Sequence, residues 1–346
     1  MTPTGMTAAD AAPFTLRRAT GTLAEGAAKL GRDIGSTAVE ALLAQANRRA
    51  VRKGAPATMG TMNPRPGEWY AFDEKDQDTA DWYPQGLTCG ADSGEIGVPV
   101  FAATWYFKPK APTPERGVRV SFLSPTTLRY QHALLVEAGP DGAYRPIDIH
   151  AGGVAWFGDL LYVADTARGL RVFDVGQLMD LKTAQNDLGD PQLFGRHGGK
   201  FHAFGYRYLI PQTDFWRVAS SGATFSFVSL DRSGPTPLLV SGEYVDNSPN
   251  GRVVRWELGS DGSLAGLHDC FTMGVPKIQG AVSRAGTWYL SQAADAATNG
   301  KLLTGRPGKL TARPFPIGPE DLTVQGGKVW SVTEFRNKRV IFGVSL

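Results

Sequence analysis

The chain has 346 residues, of which 42% are hydrophobic and 20% are charged, with a formal net charge of +3. This composition is typical of a globular protein without a large excess of either charge sign. Nucleic acid is therefore not expected as the main partner, because binding to a phosphate backbone needs clustered Lys and Arg. The length exceeds that of an ordinary domain but suits a large all-β domain with a modest extension.

The N-terminal part is rich in Ala, Leu, Glu and Arg, and its apolar residues follow helical spacing between residues 20 and 52. This spacing predicts one or two amphipathic helices, the second capped by Thr37 with Glu40 three residues later. A following stretch dense in Gly and Pro predicts a linker. We therefore expect a helical extension over residues 1–53, a linker over 54–68 and an all-β domain over 69–346.

The chain carries no visible secretory signal, because the Arg17-Arg18 pair is not followed by an apolar run. No stretch approaches the roughly 18 consecutive apolar residues of a membrane-spanning helix. Both observations favour a cytoplasmic protein. Cys89 and Cys270 lie far apart in unlike contexts, which excludes a CxxC pair and a zinc knuckle. Two buried, reduced thiols are expected, with a disulfide as the alternative.

After the linker, short β-rich runs such as VPVFAATWYF, GDLLYVAD and GKVWSVTE alternate with turn residues. One phrase recurs: a polar residue precedes a small apolar strand, a tight turn follows, and an aromatic-rich strand comes next. The five copies begin at Gln85, His150, His202, Gln279 and Glu320. Irregular repetition of a hairpin unit is typical of a β-propeller, whose blades bury their faces only against neighbours. We predict an all-β, five-bladed propeller; six blades are the alternative, because residues 202–279 hold four strands.

Two phrases carry a family likeness. HAGGVAWFGDLLYVADTARGLRVFDV and PEDLTVQGGKVWSVTE resemble inner hairpins of the strictosidine synthase, gluconolactonase–paraoxonase and NHL-repeat propellers. Together with WYPQGLT, HALLVE and KIQGAVS, they also resemble actinobacterial propeller proteins of unassigned function. The resemblance implies a propeller that acts on a small organic molecule, by hydrolysis as in lactonases or by condensation as in strictosidine synthase.

The first residue of each inner strand of a propeller points toward the channel mouth, so the five start residues are predicted to converge on one rim. His150, His202 and Glu320 would then suit a divalent metal such as zinc or iron. The same trio would serve acid–base chemistry, with His150 as base, Glu320 as acid and His202 orienting the substrate. The alternative is that these polar residues only form hydrogen bonds between neighbouring blades at the rim and take part in no reaction, because buried polar groups need hydrogen-bond partners.

The remaining candidate residues are predicted to bind the substrate and not to take part in the reaction. Gln85 and Gln279 are predicted to contact the substrate from the rim, and Trp82, Tyr83 and Trp216 to form a ligand wall. Spacing alone nominates no carboxylate pair, although Glu243, Glu320 and Glu334 are acids near strand ends. Two functions stay open at this point: an enzyme acting on a small molecule at the axis, or a noncatalytic propeller that binds a ligand or a protein.

Overall fold

The computed structural model describes residues 5–109 and 113–346. Five short α-helices are present in this part of the chain: α1 Leu23–Ile34, α2 Val39–Ala44, α3 Glu74–Asp78, α4 Gly90–Ser93 and α5 Leu181–Ala184. The strands of the described residues are β1 Thr7–Ala8, β2 Leu16–Arg18, β3 Arg48–Arg49, β4 Val51–Arg52, β5 Glu68–Ala71, β6 Trp82–Cys89, β7 Phe101–Phe107, β8 Val118–Leu123, β9 Arg129–Ala138, β10 Tyr144–Pro146, β11 Val154–Phe157, β12 Leu160–Asp165, β13 Gly169–Asp174, β14 Met179–Asp180, β15 Phe194–His197, β16 Lys200–Ala203, β17 Tyr208–Val218, β18 Phe227–Asp231, β19 Leu238–Gly242, β20 Arg252–Leu258, β21 Leu264–Thr272, β22 Ile278–Arg284, β23 Thr287–Gln292, β24 Lys301–Arg306, β25 Lys309–Pro314, β26 Pro319–Gln325, β27 Lys328–Thr333 and β28 Val340–Ser345.

Most strands belong to antiparallel units of four that surround one axis. In chain order these units are β6 to β9, then β11, β12, β13 and β17, then β18 to β21, then β22 to β25, and last β26, β27, β28 and β5. Their first strands contact one another in a closed ring, β6–β11–β18–β22–β26. The predicted all-β propeller architecture is confirmed. We interpret the units as blades 1 to 5, and the region that suggested a sixth blade holds β18 to β21 of blade 3.

Blade 5 is built from both ends of the chain. Strand β5, which precedes blade 1, pairs antiparallel with β28, with Ala71 opposite Val340 and Glu68 opposite Gly343. The ring is therefore closed by hydrogen bonds between distant parts of the sequence, so that no blade edge at the closure is left open.

The inner strands approach one another at glycines. A Cβ atom at Gly153 would lie 2.1 Å from the backbone nitrogen of Val228 in blade 3, and one at Gly280 would lie 2.7 Å from the Cα atom of Asp321 in blade 5. Any side chain at these positions would push neighbouring blades apart, because the blocking atoms are backbone atoms. Glycine thus sets the tight radius of the inner ring.

A buried carboxyl group also links the inner strands. Oδ2 of Asp321, in β26, accepts hydrogen bonds from the backbone N–H of Leu87 at 3.3 Å and of Val154 at 3.0 Å. Leu87 lies in β6 and Val154 in β11, so one side chain of blade 5 holds the inner strands of blades 1 and 2. Asp321 therefore joins three blades.

The chain before blade 1 runs along the outer edges of the blades. Strand β1 pairs with β21 of blade 3, β2 with β17 of blade 2, β3 with β9 of blade 1, and β4 with β5 of blade 5. Between these contacts α1 packs on β17 and β9, where Gly26 meets the Ala138 carbonyl. The helices expected here exist, but the cap of α2 is Ala38 without a side-chain hydrogen bond, so the Thr37 capping box is wrong. The division into extension, linker and propeller stays a prediction.

Asp76 of α3 ties the segment between β5 and β6 to blade 1. Its buried carboxylate accepts hydrogen bonds from Arg119 at 2.7 Å, from the Tyr130 hydroxyl at 2.6 Å and from Nε2 of His132 at 3.0 Å. Arg119 and His132 hold the pKa of Asp76 well below its usual value against the opposing effect of burial, so it stays ionised.

Two further expectations can be compared with the structure. Cys89 and Cys270 are both free and buried, in accord with two reduced thiols and not with a disulfide. Across the described ranges, no helix combines the length and apolar character needed to cross a bilayer.

Asp76→Ala is expected to lower the free energy of unfolding by about 3–5 kcal/mol, because it leaves the Arg119 guanidinium buried without its carboxylate. Asp78→Ala, on the same helix, is the matched control. The side chain of Asp78 is 61% exposed and pairs with Arg336, so its loss is expected to cost less than about 1 kcal/mol. Urea denaturation followed by circular dichroism measures both; equal losses would contradict this role of Asp76.

Candidate axial site

Three of the predicted rim residues lie at irregularities of the inner strands. The pairing register shifts between Pro84 and Leu87 in β6, between Ile278 and Gly280 in β22, and between Pro319 and Leu322 in β26. The residues at these shifts are Gln85, Gln279 and Glu320. A bulge re-aims the side chain of its extra residue, so each of these side chains leaves the regular ladder at the start of an inner strand.

These side chains form two hydrogen-bonded pairs, and the two pairs are close enough for Glu334 to raise the pKa of Glu320. Nε2 of Gln279 lies 3.4 Å from Oε1 of Glu320, and Nε2 of Gln85 donates to Oε2 of Glu334 at 3.1 Å. Glu334 directly follows β27, the strand paired with β26. Blades 1, 4 and 5 therefore each contribute to a site with two glutamate carboxyl groups, which we call the axial site.

The two carboxyl groups have different surroundings. Glu320 is 1% exposed, and burial raises its pKa well above the usual value, with Glu334 and Asp321 adding to the rise. Glu334 is half-buried; burial raises its pKa too, but the Gln85 amide, Arg339 and Lys108 oppose the rise. Glu320 is therefore held as the neutral acid, while Glu334 is the group more readily ionised. Unequal pKa values in a carboxyl pair are the arrangement by which enzymes separate acid and base roles.

Aromatic rings line the same site. The ring of Tyr106 lies 4.3 Å from the His150 ring, with an angle of 36° between their planes, and 5.5 Å from the ring of Tyr83. Burial raises the pKa of Tyr106, and the nearby carboxyl groups of Glu334 and Glu320 add to the rise, so its phenol keeps its proton. Tyr83 and His150, both predicted for the site, are thus ring neighbours of Tyr106, and the three rings form a wall in which Tyr106 lies near the two carboxyl groups.

His150 is the most solvent-exposed of the three residues in this wall. The residue is exposed, yet protein atoms around its ring displace water and lower its pKa, and nearby Lys108 lowers it further. A neutral imidazole is the result. It can accept or donate a hydrogen bond without adding charge to the site.

The predicted position of His202 on the rim is wrong. His202 lies in β16, in a separate hairpin with β15, where Nδ1 accepts a hydrogen bond from the backbone N–H of Asp190 at 2.8 Å. The innermost strand of blade 3 is instead β18, which starts at Phe227. His202 is therefore not assembled with His150 and Glu320, and the described residues contain no group of three His, Cys, Asp or Glu side chains arranged to hold a metal ion.

Two of the predicted wall residues also lie elsewhere. Trp82 is buried with its ring 5.0 Å from that of Phe107 and 4.5 Å from the guanidinium of Arg119. Trp216 lies in β17, the outer strand of blade 2, with Arg18 over its ring at 5.9 Å. The structure places both rings in blade packing and not with Tyr83, Tyr106 and His150.

Two other arrangements of reactive residues are excluded by their contacts. Glu243, an acid near a strand end, forms an ion pair with Arg252 at 2.7 Å. Ser121, His132 and Asp76 form a hydrogen-bonded chain, with 2.8 Å between the Ser121 hydroxyl and Nδ1 of His132. All three members of this chain are buried, at 0%, 3% and 2% exposure, so no substrate reaches the Ser121 oxygen.

Sequence reasoning missed the roles of Glu334, Tyr106 and Arg339. One signal was available: the turn at Gly326-Gly327 pairs β26 with β27, and this hairpin places Thr333 opposite Pro319. Glu334 follows Thr333 and Glu320 follows Pro319, so the hairpin places both glutamates at the same end of blade 5. Tyr106 and Arg339 reach the site through pairing between strands and through a loop, for which the sequence offers no comparable signal.

No family model matches the chain, and no curated protein matches it. Solved structures of similar fold include a GH43_1 enzyme from Xanthomonas citri (11% identity, 85% of this chain and 93% of that chain, TM-score 0.39). Another is a thermostable family-43 glycoside hydrolase (11% identity, 78% and 91%, TM-score 0.39). A third is the nidogen/laminin complex (11% identity, 72% and 72%, TM-score 0.37). Sequence identities and TM-scores this low give no information about the axial site of this chain or about its activity.

Glu320→Gln is expected to flatten the pH dependence of stability. The pKa of Glu320 is higher in the folded than in the unfolded protein, so the folded state holds this proton more tightly. Its contribution is fully present below the unfolded pKa of about 4.3 and is lost as pH rises through the higher folded value. Wild type should therefore lose stability as pH rises above about 5, and the variant should lose less.

The measurement is urea unfolding at a series of pH values. Glu257→Gln, at an exposed carboxylate of blade 3, is the control and should follow the wild-type slope. Identical slopes for wild type and Glu320→Gln would show that Glu320 titrates alike in both states and would contradict the neutral acid.

Proposed function

We propose that the axial site hydrolyses a small, uncharged organic molecule by general acid–base catalysis. The observation that carries this proposal is the pair Glu320 and Glu334, which come from one hairpin and face the axis without an ion pair to Lys or Arg among the described residues. Burying two carboxyl groups without a paired cation is costly. Strongly shifted carboxyl groups of this kind concentrate at functional sites.

Glu334 is the group that would touch the substrate, because it keeps contact with solvent whereas Glu320 is enclosed. As the more readily ionised carboxylate, Glu334 would take a proton from an attacking water, whose oxygen forms the new C–O bond. Glu334 would then return this proton to the leaving-group oxygen as the old C–O bond breaks. Glu320 would act as a positioning residue: its neutral carboxyl group lies beside Glu334 and is held by Gln279. The protonated phenol of Tyr106 would donate a hydrogen bond to the oxygen on which negative charge develops.

The wall of Tyr83, Tyr106 and His150 suits a substrate with a flat or weakly polar ring face, such as a lactone or a sugar. Anions are disfavoured, because the more readily ionised carboxyl group of Glu334 already occupies the site. Hydrolysis of a lactone or glycoside fits these features. A condensation of the strictosidine-synthase type stays a prediction from sequence resemblance, as does the cytoplasmic location.

A noncatalytic ligand-binding site is the second candidate. The observation in its favour is that Glu320 is almost fully buried. Its hydrogen bond to Gln279 joins blades 4 and 5 at the axis, and a carboxyl group buried in this way does not contact a substrate. This function requires ligand affinity without turnover.

Glu334→Gln is expected to lower kcat by roughly 10²- to 10⁴-fold, the usual contribution of a general base. The assay follows hydrolysis of chromogenic lactones, esters and glycosides near neutral pH. Glu320→Gln should shift the pH optimum while keeping measurable activity, because Glu320 acts through Glu334. Glu257→Gln should retain wild-type turnover.

A Glu334→Gln variant with full activity would contradict the assigned base. Binding of the same compounds by wild type, measured by calorimetry and without turnover, would favour the noncatalytic function instead.

A further inference from the structure

Blade 4 has an outer edge unlike those of the other blades. Strands from the N-terminal part of the chain cover the outermost strands of blades 1, 2, 3 and 5. In contrast, β25 of blade 4 pairs only with β24 over the described ranges, with a register from Lys301 opposite Pro314 to Arg306 opposite Lys309. Five of its six residues are exposed and Leu310 is half-buried. The edge is thus open to solvent along its length.

An open antiparallel edge offers specific hydrogen-bonding groups. Residues of an antiparallel pair alternate between exchanging both backbone hydrogen bonds and exchanging none. Every second residue of β25 therefore directs its N–H and C=O away from β24, where they can pair with another extended chain.

The charged side chains along this edge are all positive. Residues 296–319 contain no Asp or Glu but contain Lys301, Arg306, Lys309 and Arg313. In the part of the chain that the structure describes, none of these side chains forms an ion pair; the Arg313 guanidinium donates to the backbone carbonyl of Ser345. Because side chains alternate between the faces of a strand, Lys309, Thr311 and Arg313 share one face of β25.

We propose that β25 is a docking edge for an acidic, extended segment of a partner protein, which adds to blade 4 as a fifth strand. Backbone pairing along β25 supplies affinity, and carboxylates of the added strand contact Arg306, Lys309 and Arg313. This is strand addition of the kind by which peptide-binding domains recognise extended ligands.

A second copy of the chain is a poor occupant of this edge. Antiparallel pairing of two β25 strands about Thr311 places Lys309 of each copy beside Arg313 of the other, and like charges directly opposite are destabilising. Cationic residues on an edge strand discourage self-association. They leave a negatively charged strand as the favoured partner.

The test uses the full chain and a fluorescein-labelled peptide of strand length that alternates Glu with Val. Its affinity is measured by fluorescence anisotropy. The double variant Arg306→Glu/Lys309→Glu should weaken binding roughly tenfold or more, since it turns two favourable charge contacts into repulsive ones. The control is Arg49→Glu/Lys182→Glu, which makes the same change of charge at exposed residues of β3 and α5, outside blade 4, and should bind like wild type.

Hydrogen exchange measured by mass spectrometry distinguishes strand addition from simple charge attraction. The bound peptide should slow amide exchange in residues 309–313. The proposal is overturned if those amides are not slowed, or if a peptide with Lys in place of Glu binds equally well. It is also overturned if a single-stranded oligonucleotide of equal charge binds as tightly as the acidic peptide, because a polyanion without a strand backbone would then suffice.

Discussion

The structure depends on the close contact of inner strands at the propeller axis. Glycines at positions 153 and 280 let backbones of adjacent blades meet, and Asp321 then binds backbone amides of two neighbouring blades. Burial keeps the pKa of Asp321 well above its usual value. The axis is therefore an environment in which a carboxyl group is held neutral, and Glu320, the adjacent residue, experiences the same environment.

The bulge in β26 explains why the adjacent residues Glu320 and Asp321 have different roles. In a regular strand, consecutive side chains point to opposite faces, whereas the shift between Pro319 and Leu322 frees Glu320 and Asp321 from the ladder. Asp321 holds the ring together and Glu320 joins Gln279 and Glu334 in the axial site. The structural and the chemical groups are thus products of one local irregularity.

The sequence predicted the all-β propeller and the rim positions of Gln85, Gln279 and Glu320, because each stands before a Gly or Asp and a small apolar strand at an inner-strand start. The same local phrase misplaced His202, since a hairpin outside the blades repeats it, while the inner strand of blade 3 starts at Phe227 without it. Local patterns identify a strand start but not its distance from the axis. Tyr106 and the N-terminal strands along the blade edges depend on pairing across the fold, which no local pattern encodes.

Closure of blade 5 has a consequence for biosynthesis. Ala71 pairs with Val340, and Thr7 pairs with Thr272, so strands β5 and β1 must wait for partner strands that are made much later. Contacts between residues so distant in sequence slow folding, because chain entropy is lost before the contacts form. During that interval β1 lacks its partner β21, and β5 lacks its partner β28. The ring is completed only when the last strand, β28, has been synthesised.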